Sequence, residues 1–359
     1  MRPACLYYVL RQTWFALLTA GTVACAAGSE ARADAPSATA ANNETSSVES
    51  PIDSAAVALD TASVDTAALE NLRSTEIWLF STRHLPGNCL YCNAAPKVYR
   101  GGCCQPWQPS SVDEFRASCD PSVATVFFIH GNRIDADEAV QQGMTTFARL
   151  RLAAGEGLRV RFVIWSWPSE PMIPIAIARD ADLKAGRTDT EAHYVANVLA
   201  KIPAECPLSM IGFSFGARIT SGALHLLGGG AAAGYTLAEP AAPRTAPTRA
   251  VLVAAAMDCD WLVPNRRYGL ALAQVDRVFL LVNSHDIVLS HYPNLSSQRG
   301  VEALGFVGVC CASALGDNLA KVYQQQVATM IGKRHAWTSY LGSPQVMALV
   351  RDEALWGIR

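Results

Sequence analysis

The sequence predicts an α/β protein with a mostly parallel central sheet and helices on both faces. Short apolar runs recur along the chain and predict the strands, at residues 77–80, 124–129, 160–165, 208–213, 250–256, 278–282 and, more weakly, 323–328. Amphipathic segments of helical length lie between several of these runs, at residues 135–151, 188–202 and 217–227. This alternation is typical of a three-layer fold in which helices cover a parallel sheet.

The N-terminal residues predict export from the cytoplasm. Arg2 and Arg11 precede an apolar run at residues 13–27, and small residues follow it. This pattern predicts a signal peptide over residues 1–26, with cleavage there or as late as residue 33. The run is shorter than the ~20 apolar residues that span a bilayer. We expect a periplasmic, cell-surface or secreted protein, and a lipid anchor on Cys25 is the only membrane attachment that the sequence suggests.

Composition separates the rest of the chain into a tether and a folded domain. Residues 27–70 are dominated by Ala, Ser, Thr, Asp and Glu. Such a segment buries too little apolar surface to offset its ordering entropy, so we expect a low-complexity, disordered tether. Residues 71–359 are the predicted folded domain. The formal net charge of the chain is -2, which gives no electrostatic case for a nucleic-acid partner.

The cysteines predict disulfides in an oxidising compartment. Nine lie beyond both candidate cleavage sites, at positions 89, 92, 103, 104, 119, 206, 259, 310 and 311. The sequence leaves their connectivity open. A zinc site at Cys89, Cys92, Cys103 and Cys104 is the alternative, although two adjacent cysteines fit one tetrahedral site poorly. We expect no metal and no organic cofactor.

The segment Gly212-Phe213-Ser214-Phe215-Gly216 predicts a nucleophilic serine. It ends an apolar run and begins a helix-like segment over residues 215–227. A strand that turns abruptly into a helix forces its apical residue into strained backbone angles, and the two glycines remove side chains that would clash. The helix would then direct its free amides and positive dipole end toward Ser214.

A second glycine-containing loop follows another predicted strand. It has the sequence His130-Gly131-Asn132-Arg133. Such a loop can present backbone amides to a reaction centre, so we predict that the amides of Asn132 and Phe215 form an oxyanion hole. For His130 we expect a structural hydrogen-bonding role.

A candidate acid and a candidate base follow the serine along the chain. Asp286 lies just past the strand at 278–282, and His335 lies in a loop after the last strand-like segment. The chain order Ser214, Asp286, His335 predicts a catalytic triad. The rival residues are Asp258, and after it Asp260, for the acid and, for the base, His285 and His291.

In these motifs the chain resembles the α/β-hydrolase superfamily, and the resemblance covers residues 76–352. Within it the chain is most similar to a bacterial family of uncharacterised hydrolases with HGN loops and a Trp-Pro-Ser segment, here at 130–132 and 166–169. The resemblance implies a serine hydrolase fold with Ser214, Asp286 and His335 as its triad. One departure is that Phe213 and Phe215 flank the serine where many members have histidine and methionine.

Together the motifs predict a serine hydrolase that acts on a small-molecule, ester-like acyl substrate through an acyl-enzyme. A peptidase or amidase using the same triad is one alternative, and a non-catalytic binding protein with this fold is another. The apolar loop at residues 171–178 either covers the site or connects strand and helix within the core. The sequence does not specify the oligomeric state.

Overall fold

A computed structural model of the chain describes residues 77–88, 95–102, 105–154, 159–172, 177–239, 241–294 and 300–355. The predicted signal peptide and tether lie outside the described residues. So do Cys89, Cys92, Cys103 and Cys104, and the loop residues 173–176. No helix within the described ranges is long and apolar enough to cross a membrane.

A nine-stranded sheet forms the centre of the described domain. Its strands occur along the chain as β1 (Ile77–Ser81), β2 (Lys97–Gly102), β3 (Gln105–Ser110), β4 (Ala124–Ile129), β5 (Val160–Ser166), β6 (Leu208–Phe213), β7 (Thr248–Val253), β8 (Arg277–Val282) and β9 (Val322–Gln326). Their spatial order is β3-β2-β1-β5-β4-β6-β7-β8-β9. All neighbours from β1 to β9 pair in parallel, and β2 and β3 extend the β1 edge in antiparallel fashion.

Burial explains which strands the sequence could predict. Every residue of β4, β5, β6 and β7 is buried, which matches their continuous apolar runs. Strands β2 and β3 were not predicted. β3 is largely exposed and contains Pro106 and Pro109, as an edge strand tolerates. The structure thus confirms the mostly parallel central sheet and adds an antiparallel edge.

The helices are α1 (Val112–Ala117), α2 (Ala136–Ala154), α3 (Ile177–Leu199), α4 (Phe215–Leu227), α5 (Leu304–Val307), α6 (Ala328–Ile331), α7 (Trp337–Leu341) and α8 (Pro344–Ala354). Helix α3 packs along α4, whereas α2 packs against α7 and α8. Three 3₁₀ segments complete the described elements, at Ala271–Gln274, Leu289–Asn294 and Ala312–Lys321. Helix α3 begins at Ile177, well before the predicted residue 188. The prediction missed the first turns because they bury the charged side chains of Asp180 and Lys184 rather than apolar ones.

The strand order creates a crevice at the carboxyl edge of the sheet. β4 lies between β5 and β6, so the chain leaves β4 toward one side of the sheet and leaves β6 toward the other. Loops that diverge in this way leave room for a ligand between them. The glycine loop after β4 and the serine turn after β6 both lie at this point.

Trp337 packs the C-terminal helices against β4 and β6, the strands on either side of this crevice. Its ring lies 5.3 Å from that of Phe128 and 5.4 Å from that of Phe213, measured between centroids. The indole N–H donates to Thr146 Oγ1 on α2, at 2.8 Å. Both residues are buried, so this bond fixes α7 against α2.

Thr146→Val should destabilise the domain, because it leaves the Trp337 indole N–H buried without this acceptor. We expect the free energy of unfolding to fall by about 1–3 kcal/mol. Thr145→Val is the matched control, since the Thr145 hydroxyl bonds only one turn back, to Gln141 O; it should change stability by less than about 0.5 kcal/mol. Urea denaturation of both variants measures the difference, and equal stabilities would contradict the anchoring role.

Candidate active site

Ser214 lies at the sharp turn between β6 and α4. Its backbone has φ 54° and ψ -115°, in the positive-φ region that non-glycine residues rarely adopt. Four backbone hydrogen bonds hold this conformation in place, the longest from Arg218 N to Ser214 O at 3.4 Å. Ser214 N donates to Val253 O at 2.9 Å, and Ser214 O accepts from Ala217 N at 3.1 Å and from Ala256 N at 3.3 Å. The strained serine is therefore fixed by its own helix and by β7.

The two glycines of the motif allow close backbone contacts. A Cβ on Gly216 would lie 2.0 Å from Ile129 O, the last carbonyl of β4. A Cβ on Gly212 would lie 2.6 Å from both Gly216 O and Ala217 Cα. Neither glycine has a positive φ, so their role here is to let the turn pack against its neighbours.

The structure brings Ser214, His335 and Asp286 together. His335 Nε2 lies 2.9 Å from Ser214 Oγ, and His335 Nδ1 lies 2.7 Å from Asp286 Oδ2. Asp286 is fully buried, and Ser214 retains 5% of its accessible surface. The ring of Phe213 lies 5.2 Å from the imidazole, between centroids. This arrangement can pass a proton from the serine hydroxyl to the imidazole while the carboxylate holds the ring.

Asp286 holds the imidazole and also begins the following 3₁₀ segment. Its Oδ1 accepts from Val288 N at 2.9 Å and from Leu289 N at 3.0 Å, while Oδ2 contacts the histidine. Two further bonds join this loop to the loop of His335. Asn283 Nδ2 donates to Gly332 O at 2.9 Å, and Ile287 N donates to Lys333 O at 3.2 Å. The acid and base loops are thus fastened to each other.

The rival residues lie elsewhere. Asp258 is buried and accepts from the Tyr292 hydroxyl at 2.7 Å, whereas Asp286 bonds the imidazole that contacts Ser214. His285 and His291 are both exposed. The geometry around Ser214 therefore selects Asp286 and His335 from the candidates.

The loop after β4 packs directly against the serine turn. A Cβ on Gly131 would lie 3.0 Å from Phe213 Cδ1 and 3.2 Å from Ser214 Cβ. Asn132 is the next residue along the chain from this contact. On the other side, Phe215 is the first residue of α4, where a backbone amide has no intrahelical acceptor. Of the two predicted oxyanion residues, Phe215 directly follows the nucleophile, and Asn132 directly follows the glycine that packs against it.

A buried network that the sequence did not reveal holds this loop in place. Ser169 Oγ donates to Ile134 O at 2.9 Å and accepts from Ile134 N at 3.1 Å. Ser169 O accepts from Arg133 N at 2.8 Å and from Lys184 Nζ at 3.0 Å. Lys184 in turn pairs with Asp180 at 2.8 Å, and all three of Ser169, Asp180 and Lys184 are buried. The network restrains Arg133, whose φ is 64°.

Arg83 adds a second support to the same loop. Its guanidinium donates to Asp135 O at 2.8 Å, to Ser166 Oγ at 2.7 Å and to Glu170. The sequence contained one signal for these supports, the Trp-Pro-Ser segment that includes Ser169. Asp180 and Lys184 have the spacing of a helical ion pair, but this spacing predicts an exposed face rather than a buried one.

His130 has the structural surroundings expected of it. It is fully buried, and Trp167 stacks on its ring at 5.7 Å between centroids. Its Nε2 accepts from Trp167 N at 3.3 Å, and its Nδ1 lies 2.9 Å from Gly131 O. Nε2 is thus an acceptor and Nδ1 the donor, so the ring is neutral. Burial lowers the pKa of His130 from 6.5 to about 3.

The described residues contain no group of three or more His, Cys, Asp or Glu side chains that could hold a metal ion. The five described cysteines, at 119, 206, 259, 310 and 311, carry free thiols. At the loop predicted over residues 171–178, Met172 is 68% exposed, and its N donates to Asp180 Oδ1 at 2.7 Å. This residue therefore does not face the core.

Comparison with solved structures yields esterases and thioesterases at low similarity. Acyl-protein thioesterase 2 from Zea mays is 18% identical over 64% of this chain and 91% of that chain, with a TM-score of 0.40. Carboxyl esterase 2 from Tuber melanosporum is 11% identical over 74% and 83%, with a TM-score of 0.36. An inhibited esterase B from Lactobacillus rhamnosis is 11% identical over 80% and 92%, with a TM-score of 0.34. No protein-family model and no curated protein sequence matches the chain.

The strand order and the serine turn of this chain define its class. A mostly parallel sheet flanked by helices, with a strained serine between a central strand and the next helix, is an α/β-hydrolase fold. The similarities above are too low to carry the activity of those proteins over to this chain. The function of this chain therefore depends on the residues of its own site.

Gly216→Ala should disrupt the serine turn, because the added methyl group meets a backbone carbonyl that cannot move alone. We expect the free energy of unfolding to fall by about 2–3 kcal/mol or more. Gly186→Ala, within α3, is the control: no atom lies within 4 Å of its added Cβ. It should raise stability by about 0.5–1 kcal/mol. If urea denaturation gave the same sign for both variants, the close-contact argument would fail.

Acid should destabilise the domain through His130. Its folded-state pKa of about 3 lies below the ordinary value of 6.5, so between these values the unfolded state binds more protons. Stability should fall as the pH decreases from 6.5 toward 3, by up to about 1.4 kcal/mol per pH unit from this group. His130→Gln should lower this slope, whereas His291→Gln, at an exposed position, should not. Unfolding free energies measured across this window test the effect, and an unchanged slope in His130→Gln would refute it.

Proposed function

We propose that the chain is a serine hydrolase that cleaves ester-like acyl substrates through a covalent acyl-enzyme. The observation that carries the proposal is the continuous line of hydrogen-bonding contacts from Asp286 through His335 to Ser214, at 2.7 and 2.9 Å. A buried carboxylate, an imidazole and a strained serine in this order supply a nucleophile, a base and an orienting group.

In the proposed reaction, Ser214 Oγ attacks the acyl carbonyl while His335 Nε2 accepts its proton. Asp286 Oδ2 holds the tautomer that carries a proton on Nδ1, and it stabilises the imidazolium as it forms. The imidazolium then protonates the leaving alcohol. Water, activated by the same imidazole, cleaves the acyl-enzyme and restores the serine.

The tetrahedral intermediates carry an oxyanion, which we assign to the amides of Asn132 and Phe215. The packing of Gly131 against Ser214 Cβ supports this assignment, as does the position of Phe215 at the start of α4. One such donor is worth about 10²–10³ in kcat. Ser169 bonds Arg133 and Ile134 beside Asn132, and Lys184 holds Ser169 in turn, so these buried bonds would keep the donor in place before substrate binds.

An acyl substrate is supported by the apolar surroundings of the serine. Phe213 and Phe215 flank Ser214 in the sequence, and both are buried beside it. The same three residues could cleave an amide, since the shape of the leaving-group pocket decides between the two. A comparison of matched p-nitrophenyl esters and p-nitroanilides therefore distinguishes an esterase from an amidase.

The test is steady-state hydrolysis of p-nitrophenyl esters of increasing acyl length by the purified protein. We expect turnover that depends on acyl length and that falls by roughly 10³-fold or more in Ser214→Ala and His335→Ala. Asp286→Asn should lose roughly 10²–10⁴-fold, because the asparagine no longer holds the required tautomer.

Asp258→Asn is the matched control for the acid. Asn can still accept the hydrogen bond of the Tyr292 hydroxyl, so we expect activity within a few-fold of the wild type. If Asp258→Asn lost activity and Asp286→Asn kept it, the acid would be misassigned. Undiminished turnover in Ser214→Ala would exclude the serine mechanism altogether, and a flat acyl-length profile would argue against an apolar acyl pocket.

A further inference from the structure

Two pairs of described cysteines bring together segments that are distant in the sequence. The thiol of Cys206 neighbours that of Cys119, and the thiol of Cys310 neighbours those of Cys259 and Cys311. Cys310 and Cys311 are adjacent in the chain and both are exposed. The pairs Cys119–Cys206 and Cys259–Cys310 are the candidates for covalent linkage between distant segments.

The first pair lies at the amino edge of the sheet. Cys119 follows the end of α1, and its sulfur accepts from Nη2 of the buried Arg161 at 2.8 Å. Cys206 is 1% exposed and immediately precedes Pro207, whose carbonyl accepts from Thr125 N at 2.9 Å. Both sulfurs are thus held by segments that are themselves bonded to the sheet.

The second pair lies at the opposite edge, near the candidate active site. Cys310 N donates to Cys259 O at 3.4 Å. This backbone bond brings the two residues alongside each other, as a disulfide with its usual Cα separation of about 4.4–6.8 Å requires. Cys259 lies on the segment after β7, where Ala256 N bonds Ser214 O at 3.3 Å and Met257 O accepts from Leu304 N at 2.7 Å.

We propose that these pairs are two disulfide sites, Cys119–Cys206 and Cys259–Cys310, with Cys311 left as a thiol. Each pair has one buried partner, Cys206 or Cys259, and one partner that solvent reaches. This division suits thiol–disulfide exchange with a low-molecular-weight disulfide, because the accessible sulfur can meet the oxidant and the buried one can complete the bond.

Oxidation of each pair is a two-electron thiol–disulfide exchange. The accessible thiol loses a proton, and its thiolate attacks the oxidant disulfide, which forms a mixed disulfide and releases one thiolate. The buried partner, once deprotonated, attacks the protein sulfur of the mixed disulfide and releases the second thiolate. The two thiolates take up the two protons, so each protein pair loses two electrons and two protons, and the oxidant becomes two thiols. Partial desolvation and the neighbouring Cys259 thiol raise the pKa of Cys310, so the reaction at that pair should accelerate with pH.

The disulfides would stabilise the domain. Each link would close a long loop of chain, and the second would tie the segment beside Ser214 to residues 302–310. Reduction of both bonds should lower the midpoint of thermal unfolding by roughly 5–10 °C, from the typical effect of one disulfide in a domain of this size.

Peptide mapping of the full chain tests the assignment. The purified protein is incubated with oxidised glutathione at about pH 8.5, alkylated without reduction, digested and analysed by mass spectrometry. We expect linked peptides that join Cys119 to Cys206 and Cys259 to Cys310. Alkylation of these four cysteines as free thiols, or a link between Cys310 and Cys311, would overturn the proposal.

Two serine substitutions separate the linkage from general effects on folding. Cys310→Ser should remove the Cys259–Cys310 peptide and abolish part of the difference in thermal midpoint between oxidised and reduced protein. Cys311→Ser, at the adjacent exposed position, should keep both linked peptides and the full difference. If the two variants behaved alike in both measurements, Cys310 would not be the partner of Cys259.

Discussion

The contact between Gly216 and the last carbonyl of β4 is the constraint on which the candidate site depends. A side chain at this position would lie 2.0 Å from Ile129 O, so only glycine lets α4 begin this close to β4. That approach brings the loop after β4 against Ser214 and leaves Phe215 at the free amino end of the helix. Ser214 has a positive φ at this turn, which bonds from β7 and α4 maintain. The nucleophile and both proposed oxyanion donors therefore follow from one close backbone contact.

A second group of interactions gives this site its rigidity. Asp180 and Lys184 are buried as an ion pair, which by itself contributes little to stability because both charges lose their hydration. The pair instead positions the loop that carries Asn132. Lys184 Nζ donates to Ser169 O, and Ser169 in turn bonds Ile134 of that loop. On the other side of the serine, Asp286 uses one oxygen to begin a 3₁₀ segment and the other to hold His335. Both halves of the site are thus held by buried polar atoms rather than by flexible surface contacts.

Continuous apolar runs were sufficient to predict the buried parallel strands, and Ser214 and Asp286 each follow such a run. His335 follows the polar strand β9 and was predicted from the chain order of the three residues. It was insufficient for β2 and β3, whose exposed and proline-containing residues show no clear period. It also placed the start of α3 too late, since Asp180 and Lys184 are buried through pairing, which a hydrophobic pattern cannot indicate. The Ser169 network was hidden for the same reason, as burial of polar groups depends on partners that are distant in the chain. Cysteine pairing likewise needed the fold, because sequence positions alone leave every connectivity open.

The most direct test of the account is labelling of the purified protein with a fluorophosphonate, followed by mapping of the modified peptide. This probe reacts with serines whose hydroxyl is activated by a neighbouring base. We predict a single modification at Ser214 that is lost in His335→Ala and retained in His285→Ala, which removes an exposed imidazole at the carboxyl edge of the same sheet. Absence of labelling in the folded wild-type protein, or labelling of Ser214 that persists without His335, would contradict the proposed serine hydrolase.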